Sequence, residues 1–104
     1  MPTTTIGGHT LEVNSEGFLT DPDAWTEDVG TSLAAQIGID LTDAHWEAIR
    51  FVRSDFAAQG ETATLRRIGT VGGIPVKTMF QLFPQQPAKK LAYVAGLPKP
   101  HGCV

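Results

Sequence analysis

The chain contains one cysteine, Cys103, and it stands one residue before the end of the sequence. A thiol can attack a disulfide or persulfide, carry sulfur, or bind a metal, and in each role the thiolate reacts. A single cysteine cannot close an internal disulfide or build a zinc site with other cysteines. The residues around it are organised. Leu97-Pro98-Lys99-Pro100-His101-Gly102-Cys103-Val104 sets two prolines, which favour extended polyproline geometry, between the permissive glycines Gly96 and Gly102. Seven such residues reach roughly 22 Å at about 3.1 Å each. The spacing suits a swinging arm: a hinge, a stiff spacer, a second hinge, then the thiol.

That thiol needs help to ionise. A free cysteine has a pKa of about 8.5, and a neighbouring terminal carboxylate disfavours the thiolate further. Cations that favour the anion are Lys99 in the arm, Arg66 and Arg67 in the body, and Lys89 and Lys90 near the end of the body. Arg66-Arg67 and Lys89-Lys90 also fit solvated helix faces, and a partner protein could equally supply the charge. His9, His45 and His101 are scattered without metal-ligand spacing, so no metal and no cofactor are expected. Gly69, Gly72 and Gly73 have no GKS/T sequence after them and no strand before them, so they form no phosphate loop.

The elements that must carry this arm are legible in the rest of the chain. With 104 residues, 41% of them hydrophobic and 18% charged, one compact domain fits and disorder is disfavoured. A net charge of −3 places an electrostatic nucleic-acid binder at a disadvantage. No apolar run approaches the ~20 residues needed to span a bilayer. Met1-Pro2-Thr3-Thr4-Thr5 lacks the basic and apolar regions of a secretory signal, and a soluble cytoplasmic protein is expected.

Thr3 to Ile6, Gly7-Gly8 and His9 to Val13 predict a β-hairpin, the glycines supplying the positive φ of a two-residue turn. Asp21-Pro22 starts a short helical turn. Thr26 caps a helix whose stripe is Trp25, Val29, Leu33 and Ile37, and Gly38 stops it. Thr42 caps the next helix, with Leu41 stapling Trp46 and a stripe of Trp46, Ile49, Val52 and Phe56 before Gly60. A short helix over 62–68 carries Arg66 and Arg67, and 69–73 is a flexible loop. Pro75 opens a helix over 76–83 with Val76, Met79, Phe80 and Phe83 inward. Pro87 opens the last, over 88–95, which Gly96 closes. The fold class is mostly α (α+β): a small orthogonal helical bundle with an N-terminal hairpin and a mobile C-terminal arm. The boundary falls between a bundle of residues 1–96 and an arm of residues 97–104.

The segment Ala95-Gly96-Leu97-Pro98-Lys99-Pro100-His101-Gly102-Cys103-Val104 resembles the C-terminal signature of the DsrC/TusE family of sulfur carriers. Gly17-Phe18-Leu19, the run from Asp23 to Val29, the run from Leu41 to Glu47, Leu82-Phe83-Pro84 and Pro87-Ala88-Lys89 are similar to family segments in the same order. The resemblance spans essentially the whole chain and implies a helical bundle with a hairpin and a mobile arm. It also implies that Cys103 carries sulfur as a persulfide. DsrC proteins serving dissimilatory sulfite reductase keep a second cysteine, with ten residues between it and the penultimate one; here that position is Ala92. The departure points to the single-cysteine, TusE-like branch, which receives sulfur from a relay complex and passes it on for tRNA 2-thiouridine synthesis. The loop 69–74 carries no charge, whereas family members are more charged there.

The expected function is therefore a sulfur-relay carrier, a sulfurtransferase component rather than a stand-alone enzyme, with donor and acceptor relay proteins as partners. Direct nucleic-acid contact and membrane contact are not expected. Two alternatives stand beside it. One is a DsrC-like partner of a sulfite reductase system. The other is a regulator in which helix 43–59, Gly60-Glu61 and helix 62–68 form a helix-turn-helix-like unit with Arg66 and Arg67 facing DNA.

A single cysteine has a direct consequence for oxidation. Non-reducing electrophoresis of the oxidised protein should show a covalent dimer that reductant removes, and Cys103→Ser should show none. A dimer band surviving the substitution would refute this.

Overall fold

The hairpin forms because Gly7 and Gly8 both take positive φ, 57° and 83°, matching the twist of the flanking strands. β1 (Thr3–Ile6) pairs antiparallel with β2 (His9–Glu12), with Thr4 opposite Leu11 and Ile6 opposite His9. This is a computed structural model describing residues 3–100; the expectations for residues 101–104, Cys103 included, lie outside the described residues. Beyond the hairpin, Asn14 Oδ1 accepts the Glu16 and Phe18 N–H groups and closes a turn, after which Val13 and Leu19 bridge.

Five helices follow a 3₁₀ turn at Pro22–Ala24: α1 (Glu27–Gln36), α2 (Asp43–Gln59), α3 (Leu65–Thr70), α4 (Val76–Leu82) and α5 (Pro87–Val94). Their starts follow the capping chemistry of the sequence. Asp21 caps the 3₁₀ turn, and the hydroxyls of Thr26 and Thr64 accept the Val29 and Arg67 N–H groups of α1 and α3. At α2 the N3 position holds His45 where a capping box usually has Glu or Gln. Its Nδ1 accepts the Thr42 N–H at 3.0 Å, and its Nε2 lies 2.8 Å from the Leu82 carbonyl at the end of α4. One imidazole thus caps one helix and fastens another.

α1 lies between two apolar clusters. Val29 and Leu33 join Ile6, Leu11, Val13 and Leu19 beneath the hairpin. Ala34, on another face, joins the main core with Ile49, Ile68, Met79, Phe83 and Leu91. α5 is the central helix, packing against α1, α2 and α4. No helix is long and apolar enough to cross a membrane among the described residues.

Several sequence expectations shift. The buried face of α2 is His45, Ala48, Ile49, Val52 and Asp55, while Trp46 and Phe56 are half-buried. Polar residues can occupy that face because each has its partner. The helix expected over 62–68 runs over Leu65–Thr70 with Thr64 as its cap. In α4, Met79 and Phe83 are inward, but Val76 and Phe80 are 45% and 48% exposed. A seven-residue helix presents only one narrow face to the core, so neighbours of the buried stripe are left outside.

Phe83→Ala should therefore cost about 3–5 kcal/mol, whereas Phe80→Ala should stay within about 0.5 kcal/mol of wild type. Urea melts of both variants measure the contrast, and equal losses would contradict the assignment of faces.

Candidate functional site

Several side chains converge where the chain leaves α5. α5 ends in a Schellman turn: the Leu97 N–H reaches the Ala92 carbonyl at 3.0 Å and the Gly96 N–H reaches Tyr93 at 3.3 Å. The turn requires the left-handed conformation that Gly96 takes, with φ 72°. A side chain there is also excluded by space, because a Cβ on Gly96 would stand 2.4 Å from the Trp25 ring. Gly96, expected as a hinge, is a buried turn fixed by its neighbours.

Two side chains hold that turn. Trp25 Nε1 donates to the Val94 carbonyl at 2.8 Å. Its ring is enclosed on another side by Gly30, where a Cβ would come within 2.7 Å. Arg53 stacks over the Trp25 ring with its guanidinium carbon 4.2 Å from the centroid. Its Nη1 donates to the Ala95 carbonyl at 2.7 Å and its Nη2 to the Pro22 carbonyl at 3.0 Å. The last carbonyls of a helix lack intrahelical partners and carry partial negative charge, so an arginine and an indole N–H suit them. Burial lowers the Arg53 pKa and Asp23 opposes this, yet the group remains charged at physiological pH.

The grip continues past Gly96. Leu97 is 1% exposed, within the main core. Thr62 Oγ1 donates to the Pro98 carbonyl at 2.7 Å. Lys99 meets Glu16 at 3.2 Å in an exposed pair, and Pro100 is buried. The packing of the body thus runs past the 96/97 boundary drawn from the sequence.

The expected cations fare differently. Arg67 turns inward and clasps Asp55 with two hydrogen bonds of 2.8 Å. This bond to Arg67 holds the Asp55 carboxyl below its ordinary value, against the opposing effect of burial. Arg66 lies exposed on the outer face of α3 with no ion pair to a described residue. Lys99 is occupied by Glu16, and Lys90 reaches the Pro84 carbonyl. Arg66, Arg67 and Lys99 therefore do not converge into one cationic pocket. Ala92 is buried, with its carbonyl in the turn that starts the arm. No group of three His, Cys, Asp or Glu side chains that could hold a metal occurs among the described residues. Arg53 was missed from sequence. Its signal was a charged residue at i+4 from Ile49 and i+1 from Val52, beside an apolar stripe.

Comparison with known proteins places the chain. The family described as "DsrC like protein" matches residues 5–104. Sulfurtransferase TusE of Pectobacterium atrosepticum is 36% identical, covering 93% of this chain and 95% of that protein. TusE of Escherichia coli K12 is 35% identical over the same shares, 93% and 95%. DsrC of Allochromatium vinosum superposes with a TM-score of 0.80 at 33% identity, covering 98% of this chain and 97% of that one. The oxidized DsrC γ-subunit of dissimilatory sulfite reductase from Archaeoglobus fulgidus does so at 0.77 and 34% identity, covering 99% and 100%. The chain belongs to the DsrC/TusE family.

The Asp55–Arg67 clasp should show in the acid limb of stability. A carboxyl with a lowered folded pKa adds stability above its unfolded pKa of about 3.9 and loses it as pH falls through the folded value. Asp55→Asn should be destabilised near neutrality and converge on wild type below about pH 3.9. Urea midpoints across that range test this, and a gap independent of pH would contradict it.

Proposed function

We infer that this chain is a sulfur-relay carrier with Cys103 as its acceptor and donor thiol. The observation that carries the reading is that the family match runs to residue 104 and so takes in Cys103, the only cysteine of the chain. The chemistry is thiol exchange. The Cys103 thiolate attacks the outer sulfur of a donor persulfide. The donor S–S bond breaks, the donor leaves as thiolate, and the proton stays on the transferred sulfur, giving Cys103–S–SH. An acceptor thiolate then attacks that outer sulfur and releases the Cys103 thiolate. Neither step needs a net oxidant or reductant.

Because Arg67 is committed to Asp55, the charge that favours the thiolate comes from Arg66, from Lys89 or Lys90, from Lys99 released from Glu16, or from the partner. Ala92 in place of a second cysteine favours a TusE-like relay towards tRNA 2-thiouridine, working in the cytoplasm, over a sulfite-reductase partner that cycles an internal disulfide. The DsrC neighbours support the sulfite-reductase reading as the second choice. The DNA-binding alternative loses its recognition helix: α3 has six residues and one of its two arginines faces inward.

Incubation with a cysteine desulfurase and cysteine, followed by intact mass, should show one added sulfur atom on the wild type and none on Cys103→Ser. The variant should melt within about 0.5 kcal/mol of wild type. Full sulfur uptake by Cys103→Ser would overturn the carrier reading.

A further inference from the structure

The clamp on the end of α5 is larger than a helix terminus requires. One αL glycine with its two amide bonds already closes a helix. Here the same turn also receives an indole N–H, a guanidinium shared between the Ala95 and Pro22 carbonyls, and the Thr62 hydroxyl two residues later. These donors come from three separate places: the 3₁₀ turn region, α2 and the loop before α3. Their common target is the backbone of residues 94–98. Arg53 could have faced solvent one position round the helix, as Arg50 and Ser54 do.

We propose that Arg53 and Trp25 are positioning residues for sulfur transfer: by bonding the Ala95 and Val94 carbonyls they lock the turn from which Leu97–Pro100 runs over the body, and so fix where the thiol-bearing end of the chain begins. The inference rests on the carrier reading of Cys103. Two residues, His101 and Gly102, lie between the buried Pro100 and Cys103, and the three Cα-to-Cα steps of that stretch span at most about 10–11 Å when fully extended. From Gly96 the same chain would sweep about 22 Å. A root fixed at Pro100 limits the thiol's reach to the shorter distance, starting from the face where Thr62 holds Pro98 and Glu16 holds Lys99. A donor or acceptor must therefore dock against that face, and its thiol meets Cys103 at a higher effective concentration than a free arm would give. The contribution assigned to these two side chains is the placement of the chain's root, not intrinsic thiol reactivity.

The test uses Arg53→Met, which keeps the apolar stem and removes both carbonyl bonds, and Trp25→Phe, which keeps a ring and removes the N–H. Lys77→Met on α4 controls for loss of a surface charge. The first readout is the ¹⁵N order parameter of the Leu97 and Lys99 amides; the second is sulfur uptake at Cys103 from a persulfide-loaded protein donor; the third is alkylation of Cys103 by iodoacetamide. In both clamp variants the order parameters should fall at Leu97 and Lys99 while those within α5 hold. KM for the protein donor should rise on the order of tenfold with kcat nearly constant, the scale of one lost hydrogen bond to a charged or buried partner. Alkylation should stay within about twofold, because a small reagent needs no docking face. Unchanged order parameters and unchanged KM in both variants would overturn the proposal, as would equal losses in uptake and alkylation. Should Arg53→Met fail to fold, Trp25→Phe decides alone. Should the wild type take up no sulfur at Cys103, the carrier reading fails, and the order parameters still report on the root by themselves.

Discussion

The arginine-on-tryptophan stack at the end of α5 is the contact on which the rest of the arrangement depends. Arg53 reaches the Ala95 carbonyl across the Trp25 ring, with its guanidinium carbon 4.2 Å from the ring centroid. Trp25 holds this place because Gly30 and Gly96 leave room for its ring, where a Cβ would come within 2.7 and 2.4 Å. Gly96 in turn takes the positive φ that lets Leu97 fold back into the core. A cation over an aromatic face is stabilised more when both are removed from water, and here the pair also satisfies carbonyls that a helix end leaves open. A charge half-withdrawn from solvent is tolerable because its donors are used, on Ala95 and on Pro22.

The second ion pair divides the labour of the surface. Asp55 and Arg67 tie α2 to α3 and set the intervening loop, from which Thr62 bonds the arm. The clasp takes Arg67 away from any outward role, leaving Arg66 exposed. His45 does for α2 and α4 what the clasp does for α2 and α3, bonding Leu82 across the bundle while packing edge-on to Phe83 at 5.1 Å. Short helices bury little area each, and such polar ties between element ends specify their relative placement.

The candidate thiol and most elements were legible in the sequence for identifiable reasons. Cys103 stands out as the only thiol, and proline, glycine and threonine mark where helices begin and end. The hairpin register followed from two adjacent glycines. What was not legible depends on partners distant in sequence. The burial of His45 and Asp55 depends on Leu82 and Arg67, 37 and 12 positions further along the chain. Gly96 has the same composition signal whether it is a hinge or a locked turn, and only Trp25, 71 positions earlier in the chain, decides between them. Arg53 carries no motif at all; its importance lies in two carbonyls contributed by other elements.

Native-state hydrogen exchange at the Leu97 amide tests the fixed root most directly. That N–H is bonded to the Ala92 carbonyl at 3.0 Å, beside the Ala95 amide bonded to Leu91 at 2.9 Å within the end of α5. If the root belongs to the body, both amides open only with the helix and exchange with similar protection. Leu97 exchanging at the rate of an open chain, while Ala95 stays protected, would contradict it.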